Sequence, residues 1–561
     1  MAASGAGAPA AWRLHDTPPP PLLLAAALQQ AGLAAVTLGF PLLVAEAAGA
    51  DIALKAAVLQ WSMLAMGIAT LLQCWGRWGI GSGYLICGIF TAIYLPLSVV
   101  VAQRSGLADV AGMTIVAGLT QMALSPFVRR LRNQVPNEII GLIVLLVGLA
   151  LGILAVRLMA LGSPSEPALG LDRTVAITTF GLIVGLAIWG PPRLRPLAVL
   201  AGMLGGTALA LLLGSAPETP GVHGVSLLDG PPVLPSFNWA LLPGFLLGAL
   251  ASLVRCMGDV IAAQRAEDPN WTRPDQRSIR GGVLADGMGT ALAGCMGLPG
   301  MNSYTGSVGL AVASGVRSRV VGLAAGTIWV GLALIPSAGV WMLLIPQGVL
   351  GAALLYVSAF IIASGFITIT QRLLDQRRTV LLGVSLVVGL SGALIPGLYA
   401  DLPFAVQALT FSSLPLALAV ALVLGPLLRI GLAREVALEW RPAQGVPALL
   451  EAARAPLQQW GVRRAVADRV GAALEEFALL AEEDIAAGGA VHVRMETTDP
   501  VLRLTLSWQG APITPADAAT PPDEPDLRRV ALLLLRHKTD AMRLRPGAEA
   551  RQEAVLEFDQ D

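Results

Sequence analysis

The chain has 561 residues, 55% of them hydrophobic and 13% charged, with a mean hydropathy of +0.69. Soluble domains carry about 25% charged residues, and no soluble core absorbs so many apolar runs of 18 or more, so the composition excludes a soluble globular protein and requires a polytopic helical membrane protein. Lys+Arg and Asp+Glu balance at 37 each, but from Glu435 onward there are 14 basic and 21 acidic residues, which leaves 23 and 16 before it: a basic membrane part is joined to an acidic tail.

The first ~20 residues are rich in Ala, Gly and Pro, with P-P-P-P at 18–21. They lack the basic n-region and cleavage site of a signal peptide, so residues 1–21 are expected to be a disordered cytoplasmic lead. Apolar runs then predict spans near 22–46, 53–73, 79–102, 106–127, 137–160, 173–190 and 195–214, a Pro-, Gly- and Ser-rich loop over 215–235, and further spans near 237–263, 282–298, 303–315, 318–343, 347–369, 379–397 and 404–428. That is about fourteen.

With the N-terminus inside, the loops after even-numbered spans hold Arg77; Arg129, Arg130 and Arg132; Arg193 and Arg195; Arg265, Arg273, Arg277 and Arg280; Arg317 and Arg319; Arg372, Arg377 and Arg378; and Arg429, against Lys55, Arg104, Arg157 and Arg173 on the other side. This bias of 16 to 4 places both termini in the cytoplasm of a multi-pass inner-membrane protein. A miscounted span would scramble it. Fourteen spans around a long central loop divide into two seven-span halves, which must be inverted relative to each other, the plan of many secondary transporters. The third run opens G-I-G-S-G-Y-L-I-C-G-I-F-T, and the short tenth is led in by P-G-M-N-S-Y-T-G-S-V-G. Two Gly-interrupted runs at the same place in each half point to a binding site near the midplane; close helix packing is the alternative use of those glycines.

Arg255 and Asp259 lie four apart in the eighth run and share one helix face, so they can pair. At membrane depth an unpaired charge costs about 2.5–3.5 kcal/mol on insertion scales, so such residues face a partner or a cavity. Either the two close on each other as interhelical glue, or Arg255 offers a fixed positive charge to an anionic or carbonyl-rich substrate while Asp259 tunes it or carries a proton. Arginine itself does not release its proton. Asp286 is expected near the cytoplasmic start of span nine as a helix cap or a partner of the basic loop, Glu138 at a first helical turn, and Gln60 and Gln73 in interhelical hydrogen bonds. Cys74, Cys87, Cys256 and Cys295 have no metal-ligand spacing and read as small apolar residues without a disulfide. No phosphate loop, zinc motif or nucleophile elbow occurs, and His15, His223, His492 and His537 fall outside the predicted spans. No catalytic residue, metal site, cofactor or nucleic-acid partner is expected.

G-I-A-T-L-L-Q (67–73), G-S-G-Y-L (81–85), P-N-E-I-I-G-L-I-V-L-L-V-G-L (136–149), R-G-G-V-L-A-D-G (280–287) and S-V-G-L-A-V-A-S-G-V-R-S-R (307–319) resemble the nucleobase–cation symporters, the group of uracil, xanthine and urate permeases also called nucleobase–ascorbate transporters. The resemblance runs from about Leu28 to Ser364. It implies fourteen spans in two inverted repeats, core and gate domains that slide past each other, short strands in spans three and ten, and a scaffold shared with sulfate and bicarbonate-type anion transporters. Family site positions fall on Gln29 and Gln30 in span one, Phe90 in span three, Arg255 and Asp259 in span eight, and Gly306 and Ser307 in span ten. Arg255 stands where the family carries the glutamate that hydrogen-bonds the base, Asp259 where it carries a residue implicated in proton coupling, and Gly306 where it places an amide. A glycine there is expected to enlarge the pocket and uncover N–H groups at a half-helix N-terminus, which favours an anion. Tyr304, Thr305 and Ser303 would add hydroxyls.

After Trp440 the pattern turns soluble: 431–445 as a linker, then an α+β domain over 446–561 with helices near 446–459 and 463–483, strands at V-H-V-R-M-E and L-R-L-T-L-S-W, a helix over 526–538 and a closing strand A-V-L-E-F. This order is similar to the histidine-kinase-like ATPase fold of anti-sigma factors. Leu480 replaces that family's metal-binding Asn, four after Glu476, and Trp508, Gln509 and Gly510 replace its D-x-G, which implies a fold without ATP turnover; an unrelated small cap is the alternative. The expectation for the whole chain is thus an all-α membrane transporter over 22–430 with a small cytoplasmic α+β domain, importing nucleobases with protons. Alternatives are an anion transporter on the same scaffold and a transport-deficient sensor signalling through the tail. Partners would be a small molecule, protons and the bilayer, with a homodimer and a protein partner of the tail left open.

Overall fold

The computed structural model describes residues 12–128, 137–161, 170–191, 195–214, 230–268, 274–370, 374–399, 401–402, 407, 409–410, 413–429, 434–462, 464–481, 489–498, 501–509, 527–546 and 552–559. Arg129, Arg130, Arg132, Arg193, Arg273, Arg372, Gly510 and most of the loop expected over 215–235 lie outside them. The chain divides into two compact units, Met1–Ile369 with Thr379–Leu422, and Thr370–Arg378 with Val423–Asp561.

The first unit is helical. Among the described residues seven helices are long and apolar enough to cross a membrane: Pro20–Ala47, Ile52–Trp75, Leu107–Phe127, Glu138–Ala160, Gly170–Ile188, Trp239–Glu267 and Gln347–Ile369. Ala198–Leu212, Thr305–Ser314, Arg319–Ala333 and Ser413–Leu428 are shorter apolar helices. Their ends follow local chemistry. Asp51 Oδ1 accepts from Leu54 N at 2.8 Å to cap Ile52–Trp75, and Gly76, in the left-handed region at φ 61°, ends that helix where a side chain would be strained.

The third and tenth runs are interrupted. Each holds a three-residue strand that leads into a short helix: β1 (Gly88–Phe90) before Leu95–Ser105, and β2 (Met301–Ser303) before Thr305–Ser314. The strands pair antiparallel, with Gly88 opposite Ser303, Ile89 opposite Asn302 and Phe90 opposite Met301. An isolated strand at membrane depth leaves its backbone groups unsatisfied, so each interruption requires the other. Around this pair Asn137–Leu161 packs on Gln347–Ile369, Leu107–Leu124 on Gln276–Cys295, and Ile52–Trp75 on Arg319–Ala333. The second contact is glycine-lined: a Cβ on Gly287 would lie 2.8 Å from Gly118 O, an approach open only to small residues.

The expected disordered lead does not hold for residues 12–21. Trp12 N donates to Gly315 O at 2.9 Å, Arg317 N to Trp12 O at 2.9 Å, Arg319 N to Leu14 O at 3.1 Å and Leu14 N to Glu267 Oε1 at 3.0 Å, and a helix starts at Pro20. Backbone pairing with the connector after Ser314 tethers a segment whose composition alone predicts none.

The second unit carries a five-stranded antiparallel sheet in the order β3-β4-β5-β7-β6, made of β3 (Arg434–Trp440), β4 (Val491–Thr498), β5 (Val501–Trp508), β6 (Ala541–Pro546) and β7 (Gln552–Asp559). Residues 434–440, expected in a linker, are thus an edge strand, and β6 is a strand that its A-M-R-L-R-P, too polar for an obvious core face, does not announce. Helices Gly445–Gln459, Arg464–Leu480 and Leu527–Lys538 supply Leu449, Phe477 and Leu532 to one core with Val493, Leu504 and Leu556 from the strands. On the sheet's other face Arg503 lies opposite both Glu496 and Glu557, a half-exposed ladder of pairs each worth under about 1 kcal/mol. Trp508 is 1% exposed and meets Phe477 edge-on at 5.4 Å. Trp508→Ala is expected to cost this unit about 3–5 kcal/mol, seen as a lowered unfolding transition in calorimetry of the full chain.

Candidate functional site

Ser252, Arg255 and Asp259 stand on one face of the helix Leu242–Glu267, because positions three, four and seven apart align. All three are buried. Strand β2 and the residues after it run across that face. Ser303 Oγ donates to Asp259 Oδ2 at 2.8 Å and Thr305 Oγ1 donates to Asp259 Oδ1. Asn302 Nδ2 donates to Ser252 O at 2.9 Å and also reaches Ser252 Oγ.

The closed Arg255–Asp259 pair is therefore not what the structure contains. Both carboxylate oxygens are taken by hydroxyls, and among the described residues Arg255 makes no hydrogen bond or ion pair. It lies within Coulombic reach of Asp259, Asp286 and Tyr304 and is only 7% exposed. The reason is geometric: hydroxyls from the end of β2 and from the first residue of the helix after it meet both oxygens of Asp259. A buried guanidinium with five donors and no acceptor is costly for a membrane protein unless a ligand supplies one.

The enlarged pocket expected at Gly306 is also absent. A Cβ there would lie 2.8 Å from Tyr304 Oη, so the glycine makes room for the Tyr304 ring, itself 7% exposed. Ser307 is internally satisfied: its Oγ donates to Tyr304 O at 2.7 Å and accepts from Cys87 N at 3.1 Å. Gln30 Nε2 donates to Ser307 O at 3.0 Å, which ties the first helix to the tenth run. Phe90 is fully buried in β1 opposite Met301. The structure thus gathers Arg255, Asp259, Thr305 and Tyr304, and ties Gln30 and Cys87 to Ser307, which bonds the Tyr304 carbonyl.

Asp286 is not a helix cap. Its helix begins at Gln276, so the residue lies in the middle, 8% exposed, and accepts from Ser252 Oγ at 3.4 Å. Gln60 does bridge helices, donating to Ile335 O at 2.7 Å and accepting from Gly339 N at 2.8 Å. Sequence reasoning missed Ser252 and Asn302. The spacing of Ser252 from Arg255 and Asp259 was a usable signal; Asn302 had only its place in the P-G-M-N-S-Y-T string. No group of three or more His, Cys, Asp or Glu that could hold a metal ion occurs among the described residues.

A sequence profile described as a permease family matches residues 23–398. The chain is 26% identical over 394 residues to a putative purine permease of Clostridium perfringens, covering 69% of this chain and 86% of that one. It is 27% identical over 385 residues to the uric acid permease PucK of Bacillus subtilis, covering 67% and 87%, and 27% identical over 401 residues to the xanthine permease XanP of Escherichia coli, covering 68% and 86%. Among solved structures, the murine solute carrier 26 family member A9 anion transporter in its inward-facing state superposes with a TM-score of 0.52 at 14% identity, covering 74% of this chain and 70% of that one, a likeness of fold alone. On the extent of that match and the motifs within it, the chain belongs to the permease family, as a multi-pass membrane protein of the nucleobase–cation symporter group.

Proposed function

We propose that the chain is a secondary active transporter that carries nucleobases of the xanthine, urate and uracil type into the cytoplasm by symport with protons. The observation that carries the reading is Arg255, a buried guanidinium left without an internal acceptor beside an Asp259 already held by two hydroxyls. Its planar fork suits the in-plane carbonyl oxygens of an oxopurine and favours the anion. Tyr304 would border the base, and Thr305, through Asp259, would hold the acid in place. Phe90, Gly306, Ser307 and Gln30 would shape the site from behind, since their polar groups are engaged or absent. Asp259 is the candidate coupling acid.

Helix pairing supports fourteen spans in two inverted repeats. The second run packs on the eleventh and the fourth on the ninth; the first packs on the eleventh and the eighth on the fourth. Adding seven to each number, and wrapping round at fourteen, turns each of these pairs into its companion, as a two-fold repeat requires. The Arg bias supports cytoplasmic termini and an inner-membrane location, and assembly as a homodimer fits the plan. The tail is read as a regulatory or partner-binding domain without ATP turnover: Leu480 and Trp508 stand where nucleotide ligands would be needed, and both belong to its apolar core.

The same Arg255 favours a second reading, transport of a small oxyanion. Proteoliposomes containing the full chain decide between them. Labelled xanthine or urate is expected to accumulate, uracil less, and uptake to fall when the proton gradient is collapsed. Accumulation of sulfate or bicarbonate without any nucleobase would replace the first reading with the second.

A further inference from the structure

The helices of the first unit pack in two groups. Pro20–Ala35, Ile52–Trp75, Leu242–Glu267, Gln276–Cys295 and Arg319–Ala333 belong to one, which carries Arg255 and Asp259; Asn137–Leu161, Gly170–Ile188, Ala198–Leu212 and Gln347–Ile369 form the other. Toward Ser314 the site is uncovered. Thr305, Gly309 and Val312 share one face of their short helix and are all exposed, and a Cβ on Gly309 has nothing within 4 Å. The first helix starts at this end, where Ala26 and Ala27 share an apolar cluster with Ala311 and Val316. It meets the site through Gln30 and leads on to Gly39–Ala47 at the opposite end.

There the two groups meet through a polar contact. Glu46 Oε1 accepts from Gln347 Nε2 at 2.6 Å and from Lys55 Nζ at 3.3 Å, and the Glu46 and Lys55 side chains are only 8% and 14% exposed. Leu350, three residues on from Gln347, lies beside Gly39, where a Cβ would sit 3.7 Å from Leu350 Cδ2. We propose that the Glu46–Gln347 bond, braced by Lys55, locks a gate that closes this end of the site, and that it must break for the site to open here. As a gate for substrate it rests on the transporter reading above.

Three features suit a lock better than static glue. Glu46 and Lys55 lie at the facing ends of Gly39–Ala47 and Ile52–Trp75, while Gln347 opens a helix of the other group, so the bond spans the joint. Lys55 stays with Glu46 when Gln347 leaves, so opening strands no lone buried charge. Gln347 also gives up bonding to hold its place: its Oε1 is buried without a donor among the described residues. What opening loses is one charge-assisted hydrogen bond, enough to shift a two-state equilibrium roughly ten- to a hundredfold. A lock of that strength holds one state and still releases.

A cysteine behind the lock reads its opening without substrate. Purified full-length Leu350→Cys, with the exposed Cys295 changed to Ser, is treated with a polyethylene-glycol maleimide, and the same variants with Leu350 retained serve as blanks. Gln347→Ala leaves the Glu46–Lys55 pair whole and is expected to speed labelling roughly ten- to a hundredfold. Gln347→Glu sets a like charge against Glu46 and should speed it further. Glu46→Ala should match Gln347→Ala, and the double variant should add little to either, as for two partners in one interaction. If Glu46→Ala, which takes a carboxylate from Lys55, does not fold, the two Gln347 variants carry the test. Unchanged labelling in those variants would overturn the lock. So would equally faster labelling of the blanks through the buried Cys74, Cys87 and Cys256, which would mean general unfolding. Faster labelling at Leu350→Cys alone, with no nucleobase uptake by the wild type in proteoliposomes, would overturn the transport reading and leave the lock standing.

Discussion

Arg255→Ala is expected to abolish accumulation of labelled xanthine or urate in proteoliposomes while the protein still inserts and runs as a single species on gel filtration. The guanidinium makes no hydrogen bond or ion pair among the described residues, so truncating it breaks no bond: Asp259 keeps those from Ser303 and Thr305. Folding should therefore survive. The substrate loses its charge-assisted donors, and removing one side of a buried hydrogen-bonded charge pair costs about 2–5 kcal/mol, or roughly one and a half to three and a half orders of magnitude in affinity. Arg255→Lys keeps the charge but loses the fork, and should fall between the two. Undiminished uptake by Arg255→Ala would remove Arg255 from the site.

Gly287→Val should instead prevent assembly. Gly118 and Gly287 bring two helix backbones together: a Cβ on Gly287 would lie 2.8 Å from Gly118 O and 2.9 Å from Met122 N, and one on Gly118 would lie 2.6 Å from Gly287 O. These neighbours are backbone and cannot swing aside. The penalty should exceed the about 1–3 kcal/mol of ordinary overpacking. Gly181→Val is the control, since a Cβ at Gly181 has nothing within 4 Å. Detergent-extracted yield and melting temperature should fall sharply for Gly287→Val and stay near wild type for Gly181→Val. Equal behaviour of the two would show that the Gly118–Gly287 approach does not constrain the fold.

What the sequence made legible followed from local periodicity and composition. Runs such as Ile52–Trp75 are visible because bilayer thickness fixes their length, and the interruptions at Gly88–Phe90 and Met301–Ser303 are visible because glycine and polar residues break an apolar run. The site was legible as a place and misread in its bonds. Spacing suggested that Arg255 closes on Asp259, because helix geometry is all that spacing encodes. The donors that occupy Asp259 arrive 44 and 46 residues later, one on β2 and one at the start of the helix after it, and nothing local announces them. Gly306 shows the same limit. A missing side chain looks like open space until the Tyr304 ring is found in it. Asp286 was assigned to the helix start because its helix begins six residues earlier than the apolar run, at Gln276, which moves the acid to mid-helix.

The pairing of Gly88 with Ser303 also sets a schedule for making the protein. The partners are 215 positions apart, and at roughly 5–20 residues per second the first strand leaves the ribosome about 10–40 seconds before the second. During that interval β1 has no ladder, so the interrupted third run must wait in the bilayer with backbone groups that β2 later satisfies. The two halves are thus obligate partners in biogenesis. A truncated first half should persist only under continuous protection from membrane chaperones, and supplying the second half as a separate chain should rescue it.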